Sequence, residues 1–103
     1  MYVVVAGGGK VGFYLAQELL NANHEVLIIE RDAGRVNAIS EELGEAVMLG
    51  DSCEATVLDA AGIGRAELVA AVTGDDEDNL VICEMARQRG AGRAIARINN
   101  PKN

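Results

Sequence analysis

Short apolar runs alternate along this chain with longer segments whose apolar residues return every three or four positions. Tyr2-Val3-Val4-Val5-Ala6 is β-branched and lacks polar alternation, which predicts a strand buried on both faces. A glycine cluster ends it, and Val11, Tyr14, Leu15, Glu18 and Leu19 then recur at helical spacing as far as Leu20. After a turn at Asn21-Ala22-Asn23-His24, residues 25–30 predict a second strand. Asp32 is placed to cap a second helix through Val36, Ile39 and Leu43, with Gly44 as its stop. Residues 46–49 predict a third strand ending in Gly50-Asp51. Asp51 or Ser52 is expected to cap a short helix over 54–61, which Gly62-Ile63-Gly64 breaks. Residues 68–72 predict a fourth strand. Asp75 or Asp76 opens a fourth helix carrying Leu80, Cys83, Glu84, Arg87 and Gln88 to a stop at Gly90, and residues 93–98 predict a fifth strand.

Strict β-α alternation with short apolar strands calls for a parallel sheet with helices on both faces. Right-handed crossovers leave few topologies. The expectation is an α/β, doubly wound parallel sheet of Rossmann-like kind, strand order 3-2-1-4-5, in a single domain over residues 1–103.

Composition narrows the function classes. The chain has 103 residues, of which 50% are hydrophobic and 24% charged. That excludes wholesale disorder and leaves room for one domain. The formal charge is −7 with no basic run, a poor electrostatic match for nucleic acid or anionic lipid. Cys53 and Cys83 have neither CxxC spacing nor a nearby ligand histidine, so a disulfide framework and a zinc signature are not expected and a reduced cytosolic setting fits. Met1 leads directly into an apolar strand without a basic leader. No apolar run approaches the ~18 residues of a membrane span. Action at a membrane is therefore expected to pass through another chain.

The candidate chemistry begins at Gly7-Gly8-Gly9-Lys10-Val11-Gly12, which contains G-x-G-x-x-G between a strand and a helix. Gly7 permits a tight turn, Gly9 lets a diphosphate approach the backbone, and Gly12 lets the helix pack closely on the sheet. The helix start supplies free N–H groups and a partial positive charge of about half a unit. Glu30, 18 residues beyond Gly12, ends the second strand. Its carboxylate suits a ribose 2′,3′-diol and repels a 2′-phosphate, which favours NAD(H) or an adenine nucleotide over NADP(H). Adjacent Arg31 weakens that preference. The bland alternative is a tight βα turn followed by a solvated strand end.

In order 3-2-1-4-5 the switch point lies between strands 1 and 4, at their carboxyl ends. Gly50-Asp51-Ser52, Thr73-Gly74-Asp75 and Arg97 fall on that same rim. Each has an ordinary reading: Asp51, Ser52, Asp75 and Asp76 as helix caps, Arg97 as an exposed strand end, Lys10 as a solvated first-turn residue. Catalytic groups are scarce. The only histidine, His24, precedes strand 2 and belongs to the opposite rim. Tyr14 has Glu18 rather than lysine four residues on, no Ser-His-Asp set reaches the rim, and Cys53 has no base. The acidic run 75–78 complements a helix dipole better than it binds metal. A nucleotide sensor is expected rather than an enzyme. The alternative is the cofactor half of an NAD-dependent dehydrogenase.

The series Gly7-x-Gly9-x-x-Gly12, Glu30-Arg31-Asp32, Gly50-Asp51, Thr73-Gly74-Asp75-Asp76-Glu77-Asp78-Asn79 and Ala96-Arg97-Ile98-Asn99-Asn100-Pro101 resembles the TrkA-N domain, also called KTN or the N-terminal lobe of RCK domains. The resemblance spans essentially the whole chain. It implies a cytoplasmic regulatory domain of potassium channels or Trk/Ktr transporters, which binds NAD(H), ATP, ADP or related nucleotides. It also implies assembly as a homodimer or larger ring, and peripheral attachment to the membrane through a potassium transporter or channel subunit. By the same resemblance Gly7, Gly9, Lys10, Val11 and Gly12 form the phosphate loop, and Glu30 holds the ribose with Arg31 beside it. Asp51 and Ser52 border the adenine, Thr73, Gly74 and Asn79 line the far side, and Arg97 faces the phosphates or the second half of a dinucleotide. Family members continue past Asn-Asn-Pro into a further helix and strand that help dimerise the lobe. Against that pattern a chain of 103 residues is expected to be a shortened lobe or a minimal relative.

Overall fold

The computed structural model describes residues 1–100; Pro101 of the terminal Asn-Asn-Pro series lies outside the described residues. Five parallel strands form one sheet in the order β3-β2-β1-β4-β5. They are β1 (Tyr2–Ala6), β2 (Glu25–Glu30), β3 (Val47–Leu49), β4 (Leu68–Ala71) and β5 (Ala94–Ala96). The helices are α1 (Lys10–Asn21), α2 (Ala33–Leu43), α3 (Ala55–Ala60) and α4 (Asp76–Gln88). The doubly wound Rossmann-like expectation therefore holds, with β1 and β4 side by side at the point where the winding reverses.

The absence of polar alternation in β1 has the cause proposed: the strand is covered on both sides. Val3 and Val5 pack with Val26, Ile28, Ala16 and Ile39 beneath α1 and α2. Tyr2, Val4 and Ala6 pack with Val69, Leu58 and Ile82 beneath α3 and α4. Val3, Val4, Val5 and Ala6 are wholly inaccessible, as are Val69, Ala70 and Ala71 of β4. The register sets Ala6 beside Ile29 on one side and Ala71 on the other. The three carboxyl ends thus finish level, and the loops that follow them share one rim.

The differences from expectation lie at the ends of elements. Val72 follows β4 and still donates its N–H to Ala6 O. At the outer edge only three residues of β5 form strand, although Arg97 continues the ladder with an N–H bond to Ala71 O. Neither Asp51 nor Ser52 caps α3. Glu54 holds the cap position without a side-chain bond, because the Asp51 carboxylate is used one turn earlier, on the Cys53 N–H. Gly62-Ile63-Gly64 does end α3, but the chain tightens there into a 3-10 turn over Ile63–Arg65, entered through Gly62 at φ 76°. Asp32 and Asp75 cap α2 and α4 as their positions predict, accepting from the N–H groups of Arg35 and Asp78.

Candidate functional site

A cleft of about 390 Å³ opens beyond the carboxyl ends of β1 and β4. Its floor is a close approach of two loops. Gly7 has φ 111°, and a Cβ there would lie 3.0 Å from the Thr73 backbone nitrogen. Only glycine turns the chain off β1 so tightly against the β4 loop. Gly12 permits a second close approach: a Cβ on it would lie 1.8 Å from Gly7 O, so α1 could not seat against the loop. Gly9 is different. It is the N-cap of α1, has φ −73°, and a Cβ there would have open space within 4 Å. Its lack of a side chain is required by nothing in the protein itself.

The amino end of α1 is also bare. No side chain caps it, and the first turn contains no acid. The first helical bond runs from Phe13 N–H to Gly9 O, which leaves the Lys10, Val11 and Gly12 amides ahead of it without helical acceptors. Lys10 and Val11 line the cleft. Unpartnered donors and the positive end of the helix dipole therefore face a space large enough for a small anionic ligand.

Glu30 closes one side from beneath. It is 5% exposed and does not itself line the cleft. Its Oε1 accepts from Gly8 N–H at 2.8 Å and its Oε2 from Asp32 N–H at 2.9 Å. The carboxylate thus ties the glycine loop to the turn between β2 and α2. Arg35 lies with Nη1 3.6 Å from Oε1. On the opposite side Cys53 lines the cleft with Asp51, Asp75 and Asp78. Burial, reinforced by Asp78 and Asp51, pushes its thiol up to about 11, so it is protonated and unreactive at neutral pH.

The sequence is matched over residues 3–103 by the model of the TrkA-N domain. This chain belongs to the TrkA-N domain family. The TrkA-N chain is 42% identical over 102 residues to a Trk system potassium uptake protein TrkA homolog of Archaeoglobus fulgidus, covering 99% of this chain and 23% of that protein. It is 38% identical over 101 residues to a TrkA homolog of Methanothermobacter thermautotrophicus, covering 98% of this chain and 47% of the relative. It therefore spans between a quarter and a half of these relatives. Among solved structures it is similar to the GsuK channel bound to NAD, with TM-score 0.80, 20% identity, and coverage of 95% of this chain and 18% of that one. The NAD(P)-binding domain of an exopolyphosphatase-related protein from Archaeoglobus fulgidus gives TM-score 0.82 at 24% identity, covering 96% and 74% of the two chains. At these identities the likeness is one of fold.

Of the residues singled out from sequence, Gly7, Gly9, Lys10, Val11, Arg31, Asp51, Ser52, Thr73, Gly74 and Arg97 border the cleft of this TrkA-N domain. Gly12, Glu30 and Asn79 do not. Asn79 is fully buried, and its amide is fully used. Oδ1 accepts from Thr73 N–H at 2.9 Å and Thr73 Oγ1 at 2.6 Å, while Nδ2 donates to Thr73 O at 3.1 Å and Arg97 O at 2.9 Å. Asn79 therefore pins the β4 loop and the end of β5 to α4 and offers no remaining hydrogen bond to a ligand. Asp76, read as a cap, accepts instead from Asn99 and Asn100 N–H. Arg35 was not singled out from sequence. Its position three residues after the Asp32 cap turns it back towards the rim, a signal that helix side-chain direction carries. His24 sits at the other rim, within 3.1 Å of the Met1 amine.

Proposed function

We propose that this TrkA-N domain is a cytoplasmic nucleotide-binding regulatory domain of a potassium-uptake system or potassium channel. In this reading NAD(H), or an adenine nucleotide such as ATP, ADP or AMP, occupies the cleft between the β1 and β4 loops. The diphosphate lies over Gly9 on the Lys10, Val11 and Gly12 amides, with Lys10 and Arg97 as counter-charges. Gly7 and Gly12 hold that loop in shape. Glu30 fixes the loop through Gly8 and meets the ribose with the lone pairs that the two amides leave unused, with Arg31 beside it. Asp51 and Ser52 border the base, Thr73 and Gly74 form the far wall, and Asn79 positions Thr73. The names of the relatives and the NAD bound to GsuK support the reading.

The observation that carries it is Gly9: a glycine with unstrained φ and empty space around its absent side chain, at an uncapped helix start. Regulation follows if the ligand prefers one arrangement of a homodimer or larger ring attached to the membrane subunit. Only such differential affinity moves a gate, and a tenfold preference supplies about 1.4 kcal/mol per site. Calorimetric titration with NAD⁺, NADH, ATP, ADP and AMP in parallel tests the site. At least one binds, and Gly9→Val abolishes it. Failure of all five would sink the reading.

A further inference from the structure

The same cleft has a second end, where β2 passes into α2, and its free hydrogen-bonding capacity is of the wrong kind for a bare ribose. Both carboxylates there are committed to backbone. Glu30 accepts from the Gly8 and Asp32 amides, and Asp32 accepts from the Arg35 amide at 2.8 Å. Both guanidinium groups are free. Arg31 is exposed and makes no hydrogen bond or ion pair among the described residues. Arg35 is 53% exposed, and its one charged neighbour is Glu30, at 3.6 Å and beyond hydrogen-bond range. Arg31 and Arg35 line the cleft; Glu30 does not. A ribose diol calls for acceptors at this end, whereas a phosphate calls for donors. Each guanidinium carries five. The acid that would turn a phosphate away is 5% exposed and has a cation lying beside it.

We propose that Arg31 and Arg35 make this end of the cleft a site for a phosphate on the adenine ribose, so that NADP(H) is accepted as readily as NAD(H), with Arg35 as the specificity-determining residue. The inference rests on the nucleotide-binding reading above. It reverses the preference that an acid at the end of β2 predicts from sequence, because that acid is already bonded to the chain. Arg35 stands one helical turn from the cap, on a fixed backbone, and its planar fork suits a phosphate better than a point charge would.

The test is calorimetric titration of the full chain with NAD⁺ and NADP⁺, for the unaltered protein and for Arg35→Ala, Arg31→Ala and Arg35→Lys. In the unaltered protein NADP⁺ is expected to bind within tenfold of NAD⁺ or more tightly. Arg35→Ala shifts the NADP⁺ to NAD⁺ affinity ratio about tenfold towards NAD⁺, the size of one lost charge-assisted hydrogen bond. Arg31→Ala shifts it in the same direction, and Arg35→Lys restores part of the ratio. NADP⁺ binding more than tenfold weaker than NAD⁺ overturns the inference and leaves the nucleotide reading intact. A ratio that Arg35→Ala leaves unchanged also overturns it. If neither dinucleotide binds but ATP, ADP or AMP does, the inference alone falls; if none of the five nucleotides binds, both fall. Because the readout is a ratio within each variant, a general loss of folding cannot imitate the expected result.

Discussion

Four residues of the first loop carry different physical obligations, and substitutions should separate them. Gly9→Ala is expected to leave stability within about 1 kcal/mol. The reduced freedom of the unfolded chain, roughly 0.4–1 kcal/mol, offsets the poorer N-cap preference of alanine. Thermal melting checks this, and calorimetry on the same variant should show nucleotide affinity falling. Gly12→Ala forces a Cβ to 1.8 Å from Gly7 O and should cost ~3 kcal/mol or more, above ordinary overpacking because backbone and not a side chain must yield. Glu30→Ala leaves the buried Gly8 amide bond unmade and should destabilise by about 1–3 kcal/mol, in denaturant unfolding without ligand. A loss of binding in that variant would therefore not by itself identify a ribose contact. The roles of Gly7 and Gly12 were legible in sequence, because spacing after a strand fixes which glycine meets the helix. The partner of Glu30 was not. Which of several nearby donors a carboxylate takes depends on loop geometry that the pattern of residues does not encode.

At the level of elements, the central strands and long helices were read closely and the short ones were not. β1 and β2 declare themselves because burial on both faces demands unbroken apolar runs. β5, at the edge, has Ile95 about half exposed and only three paired residues, so its ends depend on neighbours. The short α3 depended on a cap that the chain used elsewhere. Asn79 illustrates the same limit: its spacing marks it as special, but only the packed structure reveals that it joins three elements and has nothing left to offer. Asn79→Ala should cost about 3 kcal/mol by orphaning the Thr73 N–H and the Arg97 carbonyl, lowering Tm on the order of 15 °C. The segment after β5 is tied to α4 by Asp76. Its carboxyl is held below the ordinary value, first by the Asn99 backbone N–H, then by the Asn100 N–H and the Asn99 side chain, with Arg97 adding attraction. A lowered folded value means the tether is complete above the unfolded value near pH 4 and is lost as pH falls through the lower folded value. Amide resonances of Asn99 and Asn100, followed by NMR from pH 6 to 2, should move together at the acid end of that range, and Asp76→Asn should remove the transition.

For the whole molecule, a ligand that binds only the folded state at a hundred times its dissociation constant adds about 2.7 kcal/mol, a rise in Tm on the order of 10 °C or more for a chain of this size. A dye-monitored melt with each nucleotide should find that rise with at least one of them, and Gly9→Val should lose it. The parallel sheet also gives the molecule a polarity with a practical result. All five strands run one way, so the Met1 amine beside His24 and the cleft beyond Ala6 stand at opposite ends of β1, separated by about 15 Å of strand. A sensor chip coupled through the amino terminus would hold the protein with its open side towards the flowing solution, whereas anchoring it near residue 100 would turn that side to the support.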